Sequence, residues 1–398
     1  MFDILTEVNE LYPKTKAWRE DFHRNPELSN HEERTSKIVA DHLRSLGLEV
    51  EDHIGGYGVV GILHGEKPGR VVAFRADMDA LPIQEATGLP YSSQRDGVMH
   101  ACGHDGHTAM LMTTAEILSK HADEVSGTVK FIFQPAEEGG HGAQHMVESG
   151  VLENPKPDVI LGAHMMFTKA GTMSYKVGDA YMTSDTFSLT FHGHGGHGAK
   201  PQESTDTLLA ACRFVTDLQM IVSRRVNPLD SAVVTVGTFH SGTKENIIPD
   251  EAVLSGTIRT LNTSIRTTVL DSLHKIAGGI CEQFGTTSDL NIENMTGPVY
   301  NDPGVLSIIM DSVRKTIGNE NVEEQNLPRS GSEDFSEYLK SGIPGAFLWV
   351  GGAYPDEIIP SKNHQPTYNW DENAMKTGCA SEIAAILGYL NYYADEQK

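Results

Sequence analysis

Cysteine is scarce in this chain, and basic residues are outnumbered. The four cysteines among 398 residues, Cys102, Cys212, Cys281 and Cys379, lie far apart and form no CxxC pair. That excludes a disulfide framework and a paired-thiol redox motif. Three of them sit in apolar helical contexts and read as small buried hydrophobes; Cys102 differs, because histidines and an aspartate surround it. Lys and Arg together number 31 against 54 Asp and Glu, a net charge of -23. A phosphate backbone or an anionic membrane surface would be repelled, so no nucleic-acid or membrane partner is expected. No run approaches the roughly 18 apolar residues of a membrane span. The first residues, MFDILTEVNELYPKTKAW, lack a basic region followed by an apolar core and a small-residue cleavage site, so the expected location is the cytoplasm. No low-complexity tract interrupts a composition of 39% hydrophobic and 21% charged residues, and the length favours two domains or one carrying a large insertion.

Hydrophobic periodicity predicts alternating helices and strands, the pattern of a layered α/β domain. Helices are expected over 3–25 and 32–46, strands over 59–63 and 71–76, a helix over 107–119, a strand over 129–133, a helix over 143–151 and a strand over 159–163. From about Tyr181 the order changes to strand 186–191, helix 205–222, strands 232–238 and 252–259, helix 265–284 and strand 290–293. That β-α-β-β-α-β order is ferredoxin-like and looks inserted. The layered pattern resumes with helices 305–317 and 332–339, strand 346–350 and helix 374–392. The expected fold is therefore a layered α/β catalytic domain in two pieces, 1–180 and 297–398, with a ferredoxin-like (βαββαβ) lid domain between them at 181–296.

Chemistry concentrates at strand ends. Residues 100–107 read HACGHDGH, and 131–139 read FIFQPAEEG, an apolar strand running into the pair Glu137–Glu138. A thiol, imidazoles and carboxylates there supply what a divalent metal needs, and neighbouring glutamates can divide ligand and general-base work between them. Cys102 and His104 are two apart and can face one side on extended or loop backbone, with Gly103 letting the turn approach an ion. The alternative is a polar loop with a buried thiol. On extended backbone Glu137 and Glu138 would point to opposite faces; taken alone the pair also fits a solvated loop. His164 closes the apolar run DVILGAH at the edge where α/β sheets collect functional groups, although a lone histidine there is more often structural. His364, in NHQPTYNWDE, gains weight only from the other sites. Arg75, Asp77 and Asp79 in FRADMDALP fit partners that orient ligands, or a plain ion pair. In the insert, FHGHGGHGAKP gives His197 a glycine-rich backbone on which to reach a ligand; the alternative is a mobile surface loop. Asn246 and Arg259 carry no signal of their own.

HACGHDGH, PAEEGG, GAH, GHGGHGAKP, ENIIPDEAVLSGTIRT, GSEDF and HQPTYNWDE, in this order, resemble the amidohydrolase branch of the aminoacylase and carboxypeptidase metallohydrolases, which includes hippurate hydrolase, indole-acetyl-amino-acid hydrolases and N-acetyldiaminopimelate deacetylase. FHRNPELSNHEERTS and FRADMDALPIQE extend the match, so the resemblance spans essentially the whole chain. It implies two divalent ions per subunit, held by Cys102, His104, Glu138, His164 and His364; a thiolate with imidazoles suits Zn2+, and the mixed N, O and S set also admits Mn2+ or Co2+. Glu137 is then the general base, His197 the lid histidine reaching the scissile carbonyl in its own or a neighbouring subunit, and Asn246 and Arg259 partners of the substrate carboxylate. The implied activity is hydrolysis of the linear amide of a small N-acyl amino acid. An exposed edge strand in a ferredoxin-like insert can pair with its copy, so a homodimer or higher homo-oligomer is expected. Two departures, MMFTKAGTM after His164 without the usual proline, and His194 where lysine is common, bear on substrate choice. Rival expectations are a dipeptidase or carboxypeptidase using the same centre, a binding protein with a dead site, and a redox role for Cys102.

Overall fold

The computed structural model describes residues 2–354 and 362–396. The chain divides into two compact units, one of Met1–Ala180, Tyr300–Leu327 and Asp334–Lys398, the other of Tyr181–Val299 and Pro328–Glu333. The return to the first unit thus comes at 300, against the expected 297, and the short stretch 328–333 groups with the second unit.

The first unit is built on eight strands: β1 (Glu49–Ile54), β2 (Gly58–His64), β3 (Lys67–Asp77), β4 (Ser126–Gln134), β5 (Val159–Lys169), β6 (Met173–Tyr175), β7 (Val322–Glu324) and β8 (Gly345–Ala353). Their spatial order is β1-β2-β4-β3-β5-β8-β6-β7. The central strands β4, β3, β5 and β8 are parallel neighbours. Their runs are apolar because both faces are covered: Val72–Asp77 is wholly buried, as is Val129–Gln134. The main helices are α1 (Ile4–Arg24), α2 (Glu33–Ser45), α3 (His104–Lys120), α4 (Gly142–Glu148), α5 (Pro303–Ile317) and α6 (Ala374–Glu396), and of the helix expected over 332–339 a single turn forms, Ser336–Leu339. Every residue of α3 from His104 to Leu118 is buried, so it is an internal helix rather than an amphipathic one. Phe74, Phe131, Phe133, Met110, Leu111 and Ile383 join sheet, α3 and α6 in one core.

Parallel register fixes where chemistry can gather. Asp77 pairs with Gln134 and Arg75 with Gly162, so the segments after β3 and β4, and His164 two residues beyond Gly162, emerge on one edge of the sheet. That edge is where open α/β sheets place their sites.

The second unit has strands Thr183–His192, Ala232–Ser241, Glu251–Thr260 and Thr287–Thr296 with helices Thr207–Arg224 and Thr263–Phe284. All three pairings in its sheet are antiparallel. Phe187, Leu189 and Phe191 alternate inward against Phe214, Leu218 and Leu273, the period-two pattern of a half-covered strand. This is the ferredoxin-like unit that the sequence order predicts.

Two boundaries differ in ways that matter. Helix α3 begins at His104, not at 107, because Gly103 at φ +92 turns the chain directly into it. Strand β5 continues five residues past His164, since β8 pairs with it as far as Lys169.

Candidate functional site

The first unit brings Cys102, His104, Glu138, His164 and His364 together. Ligand atoms of Cys102, His104 and His164 lie within 4.8 Å of one another, as do those of Cys102, Glu138 and His364. Cys102 is common to both groups. A third group, His104, Glu137 and Glu138, sets the second glutamate carboxylate beside the first two. The Cys102 thiol is 3.4 Å from His164 Nε2, and His364 Nε2 is 3.1 Å from Glu138 Oε1.

Hydrogen bonds on the far side of each ring decide which nitrogen faces the cluster. His164 Nδ1 donates to the Met165 carbonyl at 2.7 Å, leaving Nε2 toward Cys102. His104 Nδ1 lies 3.2 Å from Asp79 Oδ1, and its Nε2, 4.0 Å from Glu138 Oε1, is buried without a hydrogen-bond partner. Glu138 Oε1 is likewise buried and faces two imidazole nitrogens, His364 Nε2 at 3.1 Å and His104 Nε2 at 4.0 Å. Imidazole and carboxylate atoms stranded together in a thiol-containing pocket are costly alone and are satisfied by a divalent cation. The residues therefore fit a metal.

Asp79 organises this edge. Its oxygens accept from His104, from Ser29 Oγ at 2.6 Å, and from the amides of Glu137 and Glu138 at 3.1 and 3.0 Å. Glu137 and Glu138 occupy a turn rather than extended backbone. Ala136, at φ +55, reverses the chain just before them, which is how two adjacent carboxylates reach the same cluster. His364 is also at positive φ, +63. Its amide donates to the Ala101 carbonyl at 2.8 Å, and Asn363 Nδ2 donates to the Cys102 sulfur at 3.1 Å.

The rest of HACGHDGH points elsewhere. His107 Nδ1 meets Asp77 Oδ1 at 2.6 Å while its Nε2 accepts the Met165 amide at 2.8 Å. Both ring nitrogens are engaged, so His107 braces the strand beside His164 and is not available as a ligand. Asp105 faces Arg19 at 2.9 Å and His23 at 2.7 Å, and Arg19 is sandwiched between Tyr91 and Trp370. A Cβ on Gly106 would stand 2.5 Å from Trp370, so that glycine is needed for packing. Arg75 bonds Gln134, Asp77 and Asp334 at 2.7–2.8 Å, tying the ends of β3 and β4 to the chain's later segment. Sequence reasoning missed the bracing by His107 and Asp105, because no spacing tells a ligand histidine from one that holds a strand.

The charges are set by burial and by neighbours. Burial pulls the His104 imidazolium down, but the Asp77 charge and the Asp79 bond outweigh it and hold the ring well above its ordinary range. His164 is pushed well below by burial and by His107. Burial and the Glu138 charge raise the Cys102 thiol. Bonds to Cys102 and Glu138 lift His364 to about 10.

In the second unit, His197 lies on a short hairpin paired with Ile247, and the Gly198 amide donates to the Asn246 carbonyl at 2.9 Å. His197 and Asn246 are thus neighbours. The Ala199 amide donates to His197 Nδ1 at 3.1 Å, which leaves Nε2 as the ring donor. Gly195 is required there, since a Cβ would stand 2.8 Å from the Ile248 carbonyl oxygen. Arg259 is half-buried on its strand and donates to Ser332 Oγ at 3.2 Å.

Residues 73–387 match the model of peptidase family M20/M25/M40. The chain belongs to this family. It is a hydrolase acting on amide bonds. The chain is 38% identical to thermostable carboxypeptidase 2 of Saccharolobus solfataricus over 98% of its own length and 100% of the relative's. It is 41% identical to an N-acyl-L-amino acid amidohydrolase of Geobacillus stearothermophilus over 74% of its length and 80% of that protein's. A Bacillus subtilis M20-family structure described as a dinuclear metal binding peptidase superposes with a TM-score of 0.82, at 32% identity, over 96% of this chain and 99% of that one.

Proposed function

We propose that this M20/M25/M40 hydrolase is an N-acyl-amino-acid amidohydrolase working at a two-ion centre. The observation that carries the reading is the pair of ligand groups sharing Cys102, with Glu137 beside them. One ion would be held by Cys102, His104 and His164, the other by Cys102, Glu138 and His364. The donor set of thiolate, imidazole and carboxylate suits zinc and also admits manganese or cobalt. Such ions polarise the amide carbonyl and lower the pKa of a water.

The chain's own residues move the proton. Glu137 takes it from the attacking water and returns it to the leaving amine. Asp79 fixes the ring of His104 and the amides of both glutamates, so neither carboxylate needs to be reoriented during turnover. His197, whose Nε2 is the ring donor, is assigned the developing oxyanion, within its own subunit or a neighbour's. Asn246 and Arg259 are assigned the substrate carboxylate. The substrate is a small N-acyl amino acid, the location cytoplasmic and the assembly a homodimer or higher homo-oligomer.

Glu137→Gln tests the base assignment: turnover should fall roughly 10²–10⁴-fold while both ions stay bound, measured as kcat beside metal analysis. Normal turnover in that variant would end the assignment. The 38% identity to a carboxypeptidase favours peptides as the second reading. N-acetyl, N-benzoyl and indole-acetyl amino acids assayed beside dipeptides, with added manganese or zinc, separate the two. A preference for dipeptides in kcat/KM would replace the first reading with the second.

A further inference from the structure

Three consecutive backbone amides hold the glutamate turn, and all three donate to buried carboxylates. Those of Glu137 and Glu138 go to Asp79. The Ala136 amide goes to Glu32 Oε1 at 2.8 Å, across 104 residues of sequence. Glu32 is fully buried and also accepts the Asn30 amide at 3.1 Å. It stands at the N-terminal cap position of α2, yet its side chain makes no capping bond there. The carboxyl is therefore directed at the glutamate turn, not at its own helix.

Ala136 needs such a hold. At φ +55 it lies in the left-handed region, which an alanine keeps only where its surroundings impose it. The Gly142 amide fixes its carbonyl at 3.0 Å, and Glu32 fixes its N–H.

We propose that Glu32 is a positioning residue for Glu137: by gripping the Ala136 amide it holds the reversed backbone that aims the Glu137 carboxyl at the centre. The assignment rests on Glu137 acting as the base. Burial and the neighbouring Asp79 charge raise the Glu32 carboxyl to about 7, so a glutamine amide is a close mimic of its neutral form, whereas alanine removes the acceptor.

The first test uses metal-free protein and needs no activity. Amide hydrogen exchange in Glu32→Ala should quicken by about tenfold or more at Ala136 and Glu137. The Met165 amide, held by His107, should not change, and Glu32→Gln should restore protection. In the metal-loaded enzyme, kcat of Glu32→Ala should fall on the order of 10- to 100-fold with KM within about twofold and both ions retained. Glu32→Gln should recover most of that loss. So should Ala136→Gly placed in the Glu32→Ala background, because glycine adopts positive φ without support; this arm also serves if the alanine variant alone folds poorly. Unchanged exchange at 136–137, an alanine variant that loses its ions, or a glutamine variant no better than alanine would each overturn the positioning role. Failure of the base reading appears separately, as normal turnover in Glu137→Gln with the exchange result intact.

Discussion

Asp79 shows how much of a site can hang on a residue that is not itself a candidate ligand. Its two oxygens serve four partners: the His104 ring, Ser29 and two successive amides. An asparagine there has only one acceptor oxygen and would set N–H against N–H at one of the amides. Asp79→Asn should therefore weaken metal binding about 10- to 100-fold, as loss of an outer carboxylate partner does, read by competition with a chromogenic chelator. Affinity equal to wild type would show that His104 needs no such support. Residue chemistry at strand ends made the Cys102–His104 segment and the Glu137–Glu138 pair legible, whereas His164, His364 and the division of roles between the two glutamates came from the family resemblance. Their braces were not legible. Glu32, Asp105 and His107 are ordinary polar residues whose roles appear only when a partner some 80 or 100 positions away, or a strand amide, is brought to them by the fold. The expected opposite orientation of Glu137 and Glu138 failed for a local reason: Ala136 turns the chain, and nothing in PAEEG announces a left-handed alanine.

Helices and strands with strong periodicity were readable, and their ends were less so. The edge strand β1, EVEDHI, went unpredicted because Glu49, Glu51 and His53 are exposed and polar and the inward set carries Asp52 between Val50 and Ile54; only pairing with β2 makes it a strand. The three-residue strands β6 and β7 exist only through their neighbours in the sheet. Helix α6 carries an oddity that periodicity passes over, Glu382, buried against α3 with Thr114 Oγ1 donating to it at 2.6 Å. Burial lifts this carboxyl to about 8, with the Thr114 bond opposing. Since the folded pKa exceeds the unfolded one, the protonated carboxyl favours the folded state fully below about 4.5, and that contribution is lost as pH rises through about 8. Glu382→Gln removes the titration. Its thermal stability relative to wild type should climb across that window and level off above it, by an amount on the order of a few kcal/mol. Melting curves at a series of pH values check this; a constant difference would mean that Glu382 ionises no differently in the folded chain.

At the scale of the molecule, the first unit is closed by chain from both sides of the insertion. Strand β8 enters between β5 and β6, so the sheet is incomplete until the later piece arrives. Four candidate ligands come from residues 102–164 and the fifth, His364, from the later piece, so ions bound by all five would join the two pieces of one domain. An ion that binds only the folded form stabilises it by mass action, about 2.7 kcal/mol at a hundredfold excess over Kd. Chelation should accordingly lower the melting temperature, and manganese or zinc should restore it. The sign of its pH dependence follows from the charges of the metal-free centre. His104, held protonated by Asp77 and Asp79 despite burial, Cys102, kept a thiol by burial and Glu138, and His364, lifted to about 10 by its bonds to Cys102 and Glu138, must all release protons when an ion binds. The metal-induced gain should therefore grow from about pH 6 to about pH 8, and calorimetric titration in buffers of different ionisation enthalpy should register proton release. A gain independent of pH, or a melting temperature indifferent to chelation, would mean that these side chains do not close around an ion.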